Sequence, residues 1–275
     1  MKLSFSFNNA SWTADTQQGV SLAVPLDFDG PQPNCFGAPT AKKQALEMEG
    51  FIGDTTRGGS CNVDSIQIVP HCNGTHTESV GHIVNEDIPA PSGLQSLMTA
   101  ALVTVDAFSG KQAAEDRESY RPELEPTDKV VSKKNLAESF QRLNCTGTDA
   151  IIIRTHHDPN KKAVTWNQEN APAFLTTQAM EWIVAQSFQH LLLDLPSVDR
   201  MNDDGLLTNH RLFWNVAAGS REMGEREVPS NTITEMIFAP ATATDGLYLL
   251  NLQVPVMKTD AVPSNPVIYP LQKAN

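Results

Sequence analysis

The chain is short of positive charge. Its 20 Lys and Arg stand against 32 Asp and Glu, a formal net charge of −12. No basic run interrupts that balance. Phosphate backbones are bound by clustered Lys and Arg, so nucleic acid is excluded as a partner. Long apolar runs are also missing. The stretches at 150–153 and 191–193 fall far short of the ~20 residues a membrane helix needs, which excludes a span of that kind. The first seven residues alternate polar and apolar, lack the apolar core of a signal peptide and read as a strand, so the expected location is the cytoplasm. Cysteine is scarce. Cys35, Cys61, Cys72 and Cys145 form no CxxC pair, and such a scatter in a cytosolic chain reads as free thiols. No internal repeat or low-complexity stretch stands out. At 275 residues and 40% hydrophobic content, the chain can bury a large core and is read as one domain, 1–275.

Chemistry-bearing residues are concentrated between Pro70 and His82, in Pro-His-Cys-Asn-Gly-Thr-His-Thr-Glu-Ser-Val-Gly-His. Three of the seven histidines, one cysteine and one glutamate lie there. These side chains bind divalent metals or move protons. The alternating segment 65–69 just before them reads as a strand delivering the cluster at its end. Cys72, His76, Glu78 and His82 share parity, so an extended chain would place them on one face. In a helix, Cys72 and His76 would sit one turn apart with Glu78 pointing elsewhere. Gly74 speaks for a turn between them. Either arrangement lets the residues converge. His71 is one residue out of register, and its parity points it to the other face. The bland alternative is a polar loop, but these groups are obvious partners for one another.

Elsewhere, alternation and apolar runs predict strands at 3–7, 20–24, 62–69, 100–106, 150–155, 190–194, 232–236 and 246–256. Helical spacing appears over 132–143, through Leu136, Phe140 and Leu143, and from a Thr176 N-cap to about 187. Residues 42–50 read as a short helix or a loop, and 115–129 as a solvated excursion. The turn-rich segments 27–39 and 51–62 read either as a lid or rim over the site or as plain surface connections. The strand–helix–strand order from 150 to 194 implies a crossover with parallel pairing. His156, His157 and Asp158 follow a strand whose adjacent side chains point apart, so one ion cannot take all three without a turn. The two histidines read as exposed polar residues, with a pocket rim as the alternative. Asp194 and Asp199 read as caps and turns ahead of any role in positioning substrate. Glu235 shares parity with Ile233 and Ile237, and a glutamate on a core face is costly unless paired or ligating.

Gly74-Thr75-His76-Thr77-Glu78 followed by His82 resembles the His-x-Gly-Thr-His-x-Asp-x-Pro-x-His signature of the cyclase family, to which bacterial kynurenine formamidase and isatin hydrolase belong. The first family histidine falls on Cys72 and the second on His76. The family aspartate falls on Glu78, the last histidine on His82, and Val80 stands where the family has proline. Later blocks follow in order. Residues 172–199 resemble the family's helix, strand and Ser-Val-Asp segment. His210 matches the histidine after it, Glu235 matches the glutamate of an Ile-x-Glu-x-Leu strand, and 246–255 matches a Gly-x-Tyr-x-Leu segment leading to proline. The charged stretch 219–230 looks like an insertion. The resemblance runs from about 65 to 266 and is weak before 65.

This resemblance implies an α/β, swivelling β/β/α single domain with a mixed sheet. It implies a metal-dependent hydrolase of amide-type bonds, acting on an N-formyl or cyclic amide. The implied ligands are Cys72, His76 and Glu78, with His210 and Glu235 completing that site or holding a second ion, and His82 is the implied catalytic acid or base. Thiolate and carboxylate both bind zinc, so the changes at Cys72 and Glu78 keep the set competent. The expected cofactor is one or two divalent ions, zinc by softness, with manganese permitted by the resemblance. The expected partner is a small-molecule substrate, and a homo-oligomer, dimer or tetramer, is the default assembly. Three alternatives stay open: a binding protein that has lost activity, a cyclising or dehydrating lyase, and a reactive thiol at Cys72 with His76 or His71 as its base.

Overall fold

Runs of branched aliphatics such as Ala-Ile-Ile-Ile at 150–153 suit strands buried on both faces, and such strands form the centre of this molecule. The computed structural model describes residues 1–90, 97–143, 145–156, 158, 162–224 and 230–274. His157 and residues 225–229 of the charged stretch lie outside the described residues. In chain order the elements are β1 (Lys2–Phe7), β2 (Ala10–Asp15), β3 (Val20–Ser21), β4 (Lys42–Ala45), β5 (Glu47–Met48), β6 (Phe51–Ile52), β7 (Asp64–Gln67), α1 (Pro70–Asn73), β8 (His76–Glu78) and β9 (Met98–Thr104). Then come β10 (Phe108–Ser109), α2 (Gly110–Glu115), β11 (Lys129–Val131), α3 (Lys133–Leu143), β12 (Ala150–Arg154), β13 (Phe174–Leu175), α4 (Thr177–Ala185) and β14 (His190–Leu193). The chain ends with α5 (Thr208–Phe213), β15 (Thr232–Glu235), β16 (Gly246–Asn251), β17 (Ala261–Pro263) and β18 (Val267–Lys273).

Among the described residues, eleven strands make one mixed sheet in the order β1-β2-β18-β16-β9-β12-β14-β15-β8-β17, with β3 on β18. The four strands β9, β12, β14 and β15 run parallel. Their outer neighbours β16 and β8 are antiparallel to them. The period of two sorts the core. Ala101, Val103, Ile151, Ile153, Leu191, Leu193 and Ile233 join the cluster beneath α3, α4 and α5. Ala100, Leu102, Ala150, Ile152 and Leu192 face the opposite way, against Leu22, Ile237, Tyr248 and Ile268. Each fully buried Leu or Ile contributes ~1.5–3 kcal/mol relative to exposure, and this two-sided burial holds the central strands in register. No described helix is long and apolar enough to cross a membrane.

Local signals set the helices. Thr176 caps α4 by accepting from the Ala179 N–H. The start of α3 is capped from a distance: the Glu118 carboxylate accepts from Lys133 N–H, Lys134 N–H and the Thr176 hydroxyl. Glu118 and Tyr120 are therefore buried, and 115–129 is not the fully solvated excursion its charge suggests. The strand expected at 62–69 shrinks to β7, which is exposed and pairs with β4 in a separate two-stranded sheet. The strand that carries the cluster is β8, inside the motif itself. Residues 42–45 and 47–48 are strands, because tertiary pairing overrides the helix propensity of Lys, Gln and Ala. The strand expected over 246–256 stops at Asn251.

His190 opens β14 and gives an acid-sensitivity prediction. Burial lowers its pKa from 6.5 to about 4, and its Nδ1 lies 2.8 Å from the Thr232 hydroxyl. Between those values the unfolded chain holds this proton and the folded chain does not. The stabilisation is therefore complete above pH 6.5 and is lost as pH falls toward 4, by ~3 kcal/mol. Urea midpoints at pH 7 and pH 4.5 are expected to differ less for His190→Gln than for wild type. An equal difference removes His190 as the cause.

Candidate metal centre

The centre is built where the parallel run of strands ends, at β15 and its antiparallel neighbour β8. Pro70 opens the single turn of α1, and Asn73 closes it by accepting from the Val69 N–H at 2.7 Å. Gly74 then adopts φ 152°, ψ −166°, a conformation residues with a Cβ rarely take, and converts helix to strand. β8 follows, fully buried between β15 and β17. In its register with β15, His76 lies opposite Glu235 and Glu78 opposite Ile233. Opposed residues and residues two apart share a face, so His76, Glu78 and Glu235 point together toward the helices. There α5 supplies His210. Glu235 keeps the face of Ile233 as expected, but Ile237 does not. Met236 has φ 54°, and this left-handed residue sends Ile237 into the opposite core. Its strain is held by Met236 N–H donating to Leu195 O and Met236 O accepting from the Thr75 hydroxyl.

Each imidazole has an orienting partner. His76 Nδ1 lies 3.0 Å from Gly74 O, and a carbonyl only accepts, so Nδ1 carries the proton. Its Nε2 is buried without a hydrogen-bond partner, 3.4 Å from Glu235 Oε2. His210 Nδ1 lies 2.6 Å from Asp199 Oδ2, and its Nε2 lies 3.0 Å from Glu78 Oε1 and 3.9 Å from Glu235 Oε1. The Val198 N–H donates to Glu235 Oε1 at 2.9 Å. On the outer side, His71 Nδ1 is 3.0 Å from Glu78 Oε2 and its Nε2 is 2.8 Å from Asp260 Oδ2. His82 Nδ1 is 3.5 Å from the same Asp260 oxygen, and the rings of His71 and His82 are 4.2 Å apart.

Charge balance governs the titrations. Burial pushes Glu78 up, but His82, His210 and His71 hold it well below the usual carboxylate range. Burial pushes His210 down, but Glu78 and Asp199 raise it well above the usual imidazole range. His71 behaves likewise: burial opposes its charge, but Asp260 and Glu78 bring it up to about 10. Two buried carboxylates side by side require cationic neighbours, and a divalent cation meets the same need. One ligand atom each from His76, Glu78 and Glu235 falls within 4.8 Å of the others, and so does one each from His71, Glu78 and His82.

The structure thus brings together five of the six residues singled out in the sequence, His76, Glu78, His82, His210 and Glu235. Cys72 lies outside both groups, packed with Cys35, Trp166 and Met236. Its thiol is brought down to about 7 by the contact with Cys35, against burial. The parity argument that turned His71 away holds only for an extended chain. Residues 70–73 form a helical turn, so His71 enters the centre where Cys72 was expected. Asp199 is more than a turn residue. It accepts from Tyr120 OH, from the Asn209 and His210 N–H groups and from the His210 ring. Asp194 does serve a turn, accepting from Thr155 N–H, the Thr155 hydroxyl and His156 N–H. His156 is half-buried beside it and in neither group. Asp260 had no local signal. It reaches the centre because β17 pairs with β8 and its carbonyl accepts from the Ser79 N–H at 2.9 Å.

A divalent-ion centre on a mixed α/β sheet defines a class, and comparison gives the family. The sequence model of the cyclase family matches residues 2–200, so the chain belongs to that family. The match extends well before residue 65, where the resemblance had been weak, and stops short of His210 and Glu235. No curated protein sequence matches the chain. Among solved structures, it is similar to an isatin hydrolase bound to the product analogue thioisatinate, with TM-score 0.61, 12% identity and 93% of each chain covered. A predicted metal-dependent hydrolase from Bacillus stearothermophilus aligns with TM-score 0.58 and 13% identity, covering 91% of this chain and 97% of the other. Isatin hydrolase A from Ralstonia solanacearum aligns with TM-score 0.58 and 12% identity, covering 92% and 91%. At these identities the likeness is one of fold: this chain has the cyclase-family α/β fold with a large mixed sheet.

Proposed function

We propose that this chain is a metal-dependent, arylformamidase-like hydrolase of an amide-type bond, with an N-formyl or cyclic amide as substrate. The observation that carries this reading is the buried, unpartnered Nε2 of His76. It faces Glu235 beside a second buried carboxylate, Glu78, and a second imidazole, His210. A lone pair aimed at a carboxylate oxygen is unfavourable without a cation between them, so the residues fit a divalent ion. His76, Glu78, Glu235 and His210 would hold it, and their nitrogen and oxygen donors suit zinc or manganese. When bound, such an ion supplies Lewis acidity to a carbonyl oxygen and acidifies water.

The chain's own groups do the rest. His82 is part-exposed at the rim, with Nδ1 toward Asp260, which leaves Nε2 to exchange a proton with reactants. As base it takes a proton from water; as acid it returns one to the departing nitrogen. Asp199 and Gly74 O orient the inner imidazoles. The isatin hydrolase neighbours support amide opening as the reaction type.

The test is a screen of N-formyl arylamines and cyclic aryl amides with the purified chain, before and after chelation. Turnover lost with the metal and restored on its return supports the reading. Chelator-insensitive turnover moves the chemistry to a thiol. Bound ligand without turnover makes the chain a binding protein, and a product with a newly closed ring makes it a cyclase.

A further inference from the structure

The hydrolase reading leaves Cys72 without a role, although it stands between His71 and Asn73 on α1. We propose that Cys72 and the buried Cys35 are a redox-sensitive pair, and that a small peroxide oxidises them to a disulfide that displaces α1 and reversibly lowers turnover. The effect on turnover rests on the hydrolase reading; the disulfide itself does not.

Three observations carry it. First, the two residues are already joined through their backbones. Cys35 N–H donates to Cys72 O at 3.2 Å. One such bond brings two residues to about the separation a disulfide spans, ~4.4–6.8 Å between Cα atoms. Second, the thiols meet. Both are free, both lie in one buried cluster with Trp166 and Met236, and they contact each other there. Cys35 Sγ points at α1 and donates to His71 O at 3.4 Å. Third, the loop around Cys35 is anchored elsewhere. Asn34 N–H donates to Val164 O, and Trp166 N–H donates back to Asn34 O. By contrast, α1 is a single turn that ends at Gly74, so it is the part that yields.

Exposure orders the chemistry. Cys72 is 8% exposed and Cys35 is sealed at 0%, so the peroxide reaches Cys72. The Cys72 sulfur attacks one peroxide oxygen and the O–O bond breaks. The leaving hydroxide takes the thiol proton as water, and Cys72 becomes a sulfenic acid. The Cys35 sulfur then attacks the Cys72 sulfur and the S–O bond breaks. That hydroxide takes the Cys35 proton and leaves as a second water. The sulfurs lose two electrons and the peroxide oxygens gain them. The new bond draws the sulfurs from contact to ~2.05 Å and removes the hydrogen that Cys35 gives to His71 O. His71 moves with α1, and its ring faces Glu78 at 3.0 Å and Asp260 at 2.8 Å. A misplacement of ~1 Å in a centre of this kind can cost about 10²-fold in rate.

The experiment uses the zinc-loaded full chain carrying Cys61→Ser, which removes the exposed thiol. It is treated with hydrogen peroxide and mapped by peptide mass spectrometry without reduction. A linked Cys35–Cys72 peptide pair, lighter by two hydrogens, is expected. Turnover of an amide substrate falls at least about 10-fold, the His71 ring resonances shift in NMR spectra, and dithiothreitol reverses all three. Cys35→Ala keeps its turnover before oxidation and forms no such pair. Peroxide instead carries its Cys72 on to sulfinic acid, which dithiothreitol does not reverse. Thiol oxidation without the 35–72 pair overturns the proposal. So does a pair that leaves turnover and the His71 resonances unchanged, or reversible inhibition that persists in Cys35→Ala. If the reduced chain turns nothing over, the hydrolase reading fails by itself, and the linked peptide with the His71 shift still decides the proposal.

Discussion

His76→Ala is expected to abolish stoichiometric metal binding and to lower kcat/KM for an amide substrate by at least about 10³. Lewis acidity accounts for several kcal/mol of transition-state stabilisation, and each ~1.4 kcal/mol is tenfold in rate. Removing the ring takes away the imidazole nitrogen that faces Glu235 at 3.4 Å and one of the grouped ligand atoms. His82→Ala is the informative companion. It should retain the tight ion and lose kcat by about 10²–10⁴, the usual worth of a general acid or base. Elemental analysis beside steady-state kinetics separates the two. If His82→Ala also loses the tight ion, His82 is an inner ligand and the assignment of roles fails. If His76→Ala keeps it, the centre is elsewhere.

Asp199→Ala is expected to cost the chain both stability and metal affinity. Asp199 is about 1% exposed and accepts four hydrogen bonds, from Tyr120, Asn209 and, twice, His210. Burial disfavours its charge, but the His210 ring, with Asn209 and Tyr120, keeps it ionised. Alanine strands all these donors, and breaking a buried pair by removing one partner costs ~3–5 kcal/mol. For a chain of this size that lowers Tm by about 5–15 °C. The freed His210 ring loses its orientation, and tight metal affinity falls about 10–100-fold. Asp199→Asn should lose less of both. A Tm within about 2 °C of wild type for Asp199→Ala would show that water or a neighbouring group replaces the carboxylate.

Much of the centre was legible because strand parity and the short motif pointed the same way. His76, Glu78 and Glu235 share parity along their own strands, and that local rule survives folding because β8 and β15 are true strands. It fails at two places where the backbone leaves the extended state. At 70–73 a helical turn replaces strand, so His71 enters the centre and Cys72 packs with Cys35. At Met236 a left-handed residue ends the alternation before Ile237. Asp260 was illegible for another reason. Nothing beside it in sequence marks it, and only the β17–β8 pairing brings it to His71 and His82.

The sequence by itself determined the central strands, the two long helices, the cyclase-family resemblance and the residue types of the centre. Those follow from periodicity, capping and a short motif, all of which act over a few neighbours. Tertiary structure alone decided which side chains meet. The register of β8 on β15 sets His76 against Glu235, α5 lays His210 over Glu78, and Asp199 and Asp260 orient the rings from more distant parts of the chain. A register shift of one residue would turn every one of those strand ligands to the other face, and no local signal carries that choice.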